Sequence, residues 1–265
     1  MRILLLASIL LAFCISGNAA KPQPVTAKSW LVADADGKII KGENTTVVRP
    51  VASISKLVTA MIVLDAKQDL NEKLTFKKFK SKHRHSKNKK EKEDRSHMLT
   101  RGQLLDLAIV HSDNHATNIL CMNYPGGTND CISAMNFKVA RLGMMHTSMF
   151  DPTGLDNRNT STAEDLIILV RAARAYPEIV SASKLSTVKI QLQKKWLIFN
   201  NTNPMIGKDH RIVVSKTGFT SPAGGCIVMG MDTEVGQRTV VVLGSKNTRT
   251  RIPEAEFISN MKRED

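Results

Sequence analysis

From Ser53 to about Ala66 the chain reads Ser-Ile-Ser-Lys-Leu-Val-Thr-Ala-Met-Ile-Val-Leu-Asp-Ala, a helix-length stretch with almost no polar side. A helix that is apolar all round cannot lie on a surface and has to be enclosed by other elements. Any fold open to this chain therefore packs further structure around that helix. With 265 residues and 42% hydrophobic composition the chain can supply this cover as one domain of ordinary to large size.

The order of the remaining elements narrows the choice. Ser29 to Ala33 and Lys38 to Lys41 read as short strands around the turn Asp34-Ala35-Asp36-Gly37. After the apolar helix come Thr100 to Val110, Asn114 to Met122, Asn129 to Leu142 and Thr162 to Ala175, all with helical pattern. Thr100 with Gln103 forms a capping-box signature. From Lys195 the period shortens. Trp196 to Phe199, Ile212 to Thr217, Cys226 to Met231 and Thr239 to Leu243 read as strands, and Pro253 to Met261 as a closing helix. Strands, then helices, then consecutive strands and a helix point to an α+β domain. The expected architecture is an antiparallel sheet with flanking helices, its first hairpin joining the later strands and a helical cluster inserted between.

The chain opens like an exported protein. Arg2, the apolar run Ile3 to Ile15 and the small residues Gly17, Ala19 and Ala20 form a cleavable signal, so residues 1–20 are assigned to it and 21–265 to one catalytic domain. The formal charge is +14, and the segment Lys77 to Arg95 holds ten Lys or Arg against three Asp or Glu. This segment reads as a solvated excursion. For an exported protein the fitting partner of such charge is an anionic wall or membrane surface, not nucleic acid. Past the signal there are three cysteines, Cys121, Cys131 and Cys226. Either Cys121 and Cys131 close a short loop, or all three are small buried apolar residues, and the second reading is preferred. No Cys/His spacing reads as a metal site.

Three strings carry chemistry. Ser-x-x-Lys occurs at Ser53, Ser86, Ser181, Ser186 and Ser259, and only Ser53 opens the enclosed helix. One helical turn brings Lys56 onto the same face as Ser53, and burial lowers the pKa of a lysine, as a base for that hydroxyl requires. Ser112-Asp113-Asn114 joins two helices, where it serves either as a cap or as a proton-relaying hydroxyl beside a substrate-binding amide. Lys216-Thr217-Gly218 occurs once and ends an apolar strand whose edge can align a peptide-like substrate. Each string alone has a structural explanation. Their joint occurrence in this order and context argues for a serine acyl-transfer site.

The triple marks class A β-lactamases and penicillin-binding proteins. The chain resembles the low-molecular-weight penicillin-binding proteins of the serine D-Ala-D-Ala peptidase family, and more narrowly their endopeptidase branch. Beyond the three strings the resemblance covers Arg49 to Met61, Tyr124-Pro125-Gly126-Gly127, Asp151-Pro152-Thr153-Gly154-Leu155, Ser161-Thr162-Ala163 and Lys216 to Thr220 with Ala223, Gly224 and Cys226. It implies a β-lactamase/transpeptidase-like fold with no metal or cofactor. Ser53 resembles the acylated nucleophile, Lys56 its base and Ser112 the proton relay. Asn114, Lys216, Thr217 and Gly218 resemble the substrate-binding residues, and the backbone N–H groups of Ser53 and Phe219 the oxyanion hole. Lys216 is also expected to help hold Lys56 neutral by like-charge repulsion.

The resemblance implies hydrolysis of D-Ala to diaminopimelate cross-links in peptidoglycan, with β-lactams as acylating inhibitors. The alternative is a D,D-carboxypeptidase removing terminal D-Ala from stem peptides. A class A β-lactamase is disfavoured because no Glu-x-x-Leu-Asn string is present. A non-catalytic basic wall-binding protein ranks lower, since all motif residues are intact. The carboxypeptidases of the family typically add a C-terminal β domain and an anchor. The chain ends about twenty residues after its last strand, which reads as a soluble periplasmic enzyme.

Overall fold

The computed structural model describes residues 25–77, 96–192 and 195–262. Its strands in chain order are β1 (Ser29–Ala33), β2 (Ile39–Glu43), β3 (Arg49–Pro50), β4 (Lys73–Lys77), β5 (Ser96–Thr100), β6 (Thr160–Ser161), β7 (Thr187–Leu192), β8 (Lys195–Asn200), β9 (Ile212–Thr220), β10 (Gly224–Thr233) and β11 (Gly236–Ser245). The helices are α1 (Ser55–Asp65), α2 (Arg101–Val110), α3 (Asn114–Met122), α4 (Gly127–Arg141), α5 (Ala163–Ala173), α6 (Pro177–Lys184) and α7 (Arg251–Ser259).

The main sheet is antiparallel in the order β2-β1-β11-β10-β9. The N-terminal hairpin thus joins the three C-terminal strands, as the sequence predicts. Side chains alternate across it with period two. Leu31, Ala33, Val228, Val241 and Leu243 face one core, while Trp30, Val32, Ile227, Met229, Val240 and Val242 face another. The second core is closed by Ala255 and Ile258 of α7. The first is closed by the inserted helices, with α1 at its centre: every residue from Ser55 to Val63 is buried. Each large side chain so enclosed contributes about 1.5–3 kcal/mol, which makes α1 a principal anchor of the helical layer.

The capping box at Thr100 and Gln103 is formed in full. Several boundaries differ from the sequence reading. Ser53 lies in a 3-10 turn, Ala52–Ile54, and the α-helix starts two residues later. The strands β4 and β5 abut the basic segment, and the buried Leu74, Phe76 and Leu99 are too few to stand out beside it. Helix α6 and strand β7 were not foreseen, because each is short and their apolar residues blend into one another. Residues 78–95, which carry most of the basic run, and the assigned signal 1–20 lie outside the described residues.

The preferred cysteine reading is overturned. Cys121 and Cys131 form a disulfide, with Cα atoms 5.4 Å apart, that ties the end of α3 to the first turns of α4. Cys226 is free and buried, and burial pushes its thiol up to about 11. Among the described residues no helix is long and apolar enough to cross a membrane.

Candidate active site

Three segments converge on Ser53: the 3-10 turn, the loop after Asp151 and the end of β9. The turn is unusual because Ala52 has φ 48°, a left-handed conformation that a residue with a β-carbon rarely adopts. Two glycines permit the approach. A β-carbon at Gly154 (φ +81°) would stand 1.9 Å from the Ala52 carbonyl oxygen. One at Gly218 would stand 2.9 Å from the Ser53 nitrogen. The loop is held by Asp151, whose carboxylate accepts hydrogen bonds from the backbone N–H groups of Thr153, Gly154 and Asp156 and from the Thr153 hydroxyl. Asn159 braces the same loop, accepting from the N–H groups of Phe150 and Asp151 and donating to the Ser55 hydroxyl.

Lys56 is fully buried and its Nζ has three oxygen neighbours. They are Ser53 Oγ at 2.8 Å, Asn114 Oδ1 at 2.7 Å and the Thr153 carbonyl at 2.6 Å. Burial lowers its pKa to about 7, against the opposing pull of the Asp151 and Asp113 carboxylates. A neutral amine has two N–H donors and one lone pair. The Asn114 and Thr153 oxygens can only accept, so they take the two donors. The lone pair is left facing Ser53 Oγ, whose hydroxyl can then donate to it. This is the arrangement by which a base abstracts the proton of a nucleophile.

The Ser112-Asp113-Asn114 string divides its labour. Asp113 alone caps α3, accepting from the Ala116 N–H at 2.8 Å. Asn114 is thereby free to hold Lys56. Ser112 has φ 58°, again left-handed, and its Oγ accepts from Lys216 Nζ at 2.8 Å. Lys216 is fully buried and also donates to the Thr217 carbonyl at 3.0 Å. Its pKa falls well below the lysine range, mainly through burial and then through repulsion from Lys56 and Arg251. The expected repulsion between the two lysines is therefore real, but it is expressed on Lys216. What lowers the pKa of Lys56 is its burial.

Strand β9 forms the edge of the sheet beside the nucleophile. Thr217 Oγ1 donates to Thr202 Oγ1 at 2.7 Å, and Arg251 Nη1 of α7 donates to the Gly218 carbonyl at 2.6 Å. Phe219, half exposed, follows Gly218 on β9. The residues nominated from sequence thus lie on the 3-10 turn, the first turn of α1, the α2–α3 junction or β9. Sequence reasoning missed Thr153, Asn159, Thr202 and Arg251. Thr153 acts through a backbone carbonyl, which no residue type announces. Thr202 sits in a polar run and Arg251 in a basic one, with nothing local to single them out.

A model of the D-alanyl-D-alanine carboxypeptidase family matches residues 16–247. The chain is 37% identical over 237 residues to a D-alanyl-D-alanine endopeptidase of Pseudomonas aeruginosa, an alignment spanning 88% of this chain and 76% of the relative. It is 38% identical over 215 residues to a D-alanyl-D-alanine endopeptidase of Escherichia coli, covering 80% of this chain and 69% of that one. Among solved structures it is similar to penicillin-binding protein D2 of Listeria monocytogenes in its ampicillin-bound form, with a TM-score of 0.74 and 26% identity over 89% of this chain and 98% of that one.

Proposed function

The chain belongs to the D-alanyl-D-alanine carboxypeptidase family of serine D-Ala-D-Ala peptidases, and from that premise we propose that it is a D,D-endopeptidase cutting D-Ala to diaminopimelate cross-links in peptidoglycan through an acyl-enzyme on Ser53. The observation that carries the chemistry is the Lys56 amine, whose only position for a lone pair faces Ser53 Oγ. Preference for cross-links over free peptide ends rests on likeness to the two endopeptidases.

In this reading Ser53 Oγ attacks the D-Ala carbonyl carbon while its proton passes to Lys56. The Ser53 and Phe219 N–H groups receive the developing oxyanion, a contribution of about 3–4 kcal/mol per well-placed donor. The C–N bond breaks, and the departing amine takes a proton through Ser112, which Lys216 orients. Water then attacks the ester, with the same groups handling its proton, and Ser53 is regenerated. Asn114, Thr217 and Gly218 line the edge on which the substrate lies. β-Lactams acylate Ser53 because their ring amide mimics the acyl donor. Protein D2 was solved with ampicillin bound, which supports that reading here.

The Cys121–Cys131 disulfide supports export to an oxidising compartment, the periplasm in this reading. A D,D-carboxypeptidase is the second reading, favoured by the description of the matching family. Labelled penicillin tests the nucleophile. Wild type takes up label and Ser53→Ala does not, and label uptake by that variant at the wild-type rate removes the assignment. Mass analysis after digestion of cross-linked and uncross-linked muropeptides separates the two readings. Conversion of dimers to monomers supports the endopeptidase, and loss of terminal D-Ala alone supports the carboxypeptidase.

A further inference from the structure

The β7–β8 hairpin has two unlike faces. On one, Val188 pairs with Phe199 and Ile190 with Leu197, and Val188 and Ile190 are buried in the main core. On the other, Lys189 pairs with Ile198 and Gln191 with Trp196. Trp196 and Ile198 are each 61% exposed, with Lys189 and Gln191 exposed beside them. A flat indole left in water next to a second large apolar side chain marks a surface built to be covered.

The base of this hairpin is fastened to the candidate catalytic cluster. His111, next to Ser112, bonds through Nδ1 to the Asn200 carbonyl at 3.1 Å and sets its ring edge against Phe199. The Thr202 N–H donates to the Val110 carbonyl at 3.0 Å, and the Thr202 hydroxyl accepts from Thr217. Trp196 thus stands four residues, about 13 Å at 3.3 Å per residue, from the end of β8 that is tied to the site.

We infer that the outer face of β7–β8 is a docking platform for the glycan strand of the wall polymer, with Trp196 stacked on a sugar ring. This inference rests on the peptidoglycan reading above. A sugar ring offers an apolar C–H face to an indole and polar groups at its rim to the Gln191 amide. The stem peptides it carries are rich in carboxylates. Lys189 supplies the complementary charge, and it is in no ion pair among the described residues.

The test pairs intact sacculi with a cross-linked peptide from which all sugar has been removed. Trp196→Ala is expected to cut sacculi about tenfold more slowly. Its rates on the sugar-free peptide and with labelled penicillin stay within twofold of wild type, and Trp196→Phe restores most of the loss. Cleavage of sacculi at the wild-type rate by Trp196→Ala overturns the platform, and an equal loss on the sugar-free peptide overturns it too. Binding keeps the test independent of the proposed reaction. Ser53→Ala is expected to cosediment with sacculi, and Ser53→Ala/Trp196→Ala to do so at least fivefold less. Equal cosedimentation overturns the inference even if the wild type cuts no cross-link. Loss of binding to anionic lipid vesicles with sacculus binding unchanged also overturns it, in favour of a membrane contact.

Discussion

At the scale of single residues, the site depends on two lysines whose pKa is lowered by burial and on backbone that only glycine can approach. Lys56 serves as a base only when unprotonated, and its pKa lies at about 7. The acylation rate should therefore rise with pH through about 7 and level off above it. Single-turnover penicillin acylation from pH 5 to 9 measures this, and a profile flat across that range would show that Lys56 is not the group titrating. Lys56→Arg keeps the positive charge at all these pH values and should lose about 10²–10⁴ in rate, the usual share of a positioned base. The glycines give a graded contrast. A β-carbon at Gly154 meets the Ala52 backbone at 1.9 Å, whereas at Gly218 the nearest atoms are at 2.9–3.0 Å. Gly154→Ala should destabilise the protein by more than about 3 kcal/mol, from overlap combined with a positive φ. Gly218→Ala should keep most of its stability but acylate at least tenfold more slowly. Urea unfolding and penicillin uptake, measured on both variants, separate the two effects.

At the scale of elements, what the sequence makes legible is what local pattern enforces. The apolar run after Ser53 dictates a buried helix, and α1 is buried from Ser55 to Val63. Thr100 and Gln103 dictate a helix start that is realised in full. The unbroken apolar runs Cys226 to Met229 and Val240 to Leu243 dictate a sheet with two covered faces, and α7 and the inserted helices cover them. Elements whose reason lies elsewhere in the chain are not legible. Strands β4 and β5 are stabilised by pairing with each other across the basic run, so the charge between them misleads. Thr153 holds Lys56 through a carbonyl, and Arg251 holds Gly218 from a helix more than thirty residues away. The Cys121–Cys131 bond depends on how α3 meets α4, which spacing alone does not settle. Closing that ten-residue separation restrains the unfolded chain by on the order of 2–3 kcal/mol. Cys121→Ser/Cys131→Ser should lower Tm by about 5–10 °C and leave penicillin acylation near normal below that temperature. Scanning calorimetry with and without reductant gives the same comparison in the wild type, where Cys226 is buried and the bond is the one redox-active element among the described residues.

For the whole molecule, the layers that stabilise the fold also strain the site. The sheet, α1 and α7 together enclose Lys56, Lys216 and Arg251, and no carboxylate forms an ion pair with any of them among the described residues. Ala52 and Ser112 are held left-handed in the same place. A fold selected for stability alone would replace such groups, so stability and activity should trade against each other here. Lys216 is the sharpest case, because its folded-state pKa lies well below the ordinary 10.5 through burial and the neighbouring cations. The folded chain therefore holds this proton less tightly than the unfolded chain does, so burial of the lysine costs stability below that pH. That cost shrinks as pH rises toward 10.5, where the unfolded chain loses the proton too. Lys216→Met keeps the length and apolar stem and removes the titrating group. It should raise stability by on the order of 1 kcal/mol at pH 6, a Tm gain of about 2–4 °C, and the gain should shrink as pH approaches 10.5. The same variant should acylate at least 100-fold more slowly, because Ser112 loses the donor that orients it. A Lys216→Met protein that is less stable than wild type at pH 6 would mean that the hydrogen bonds to Ser112 and the Thr217 carbonyl outweigh the cost of burial, and that the site is not held against the stability of the fold.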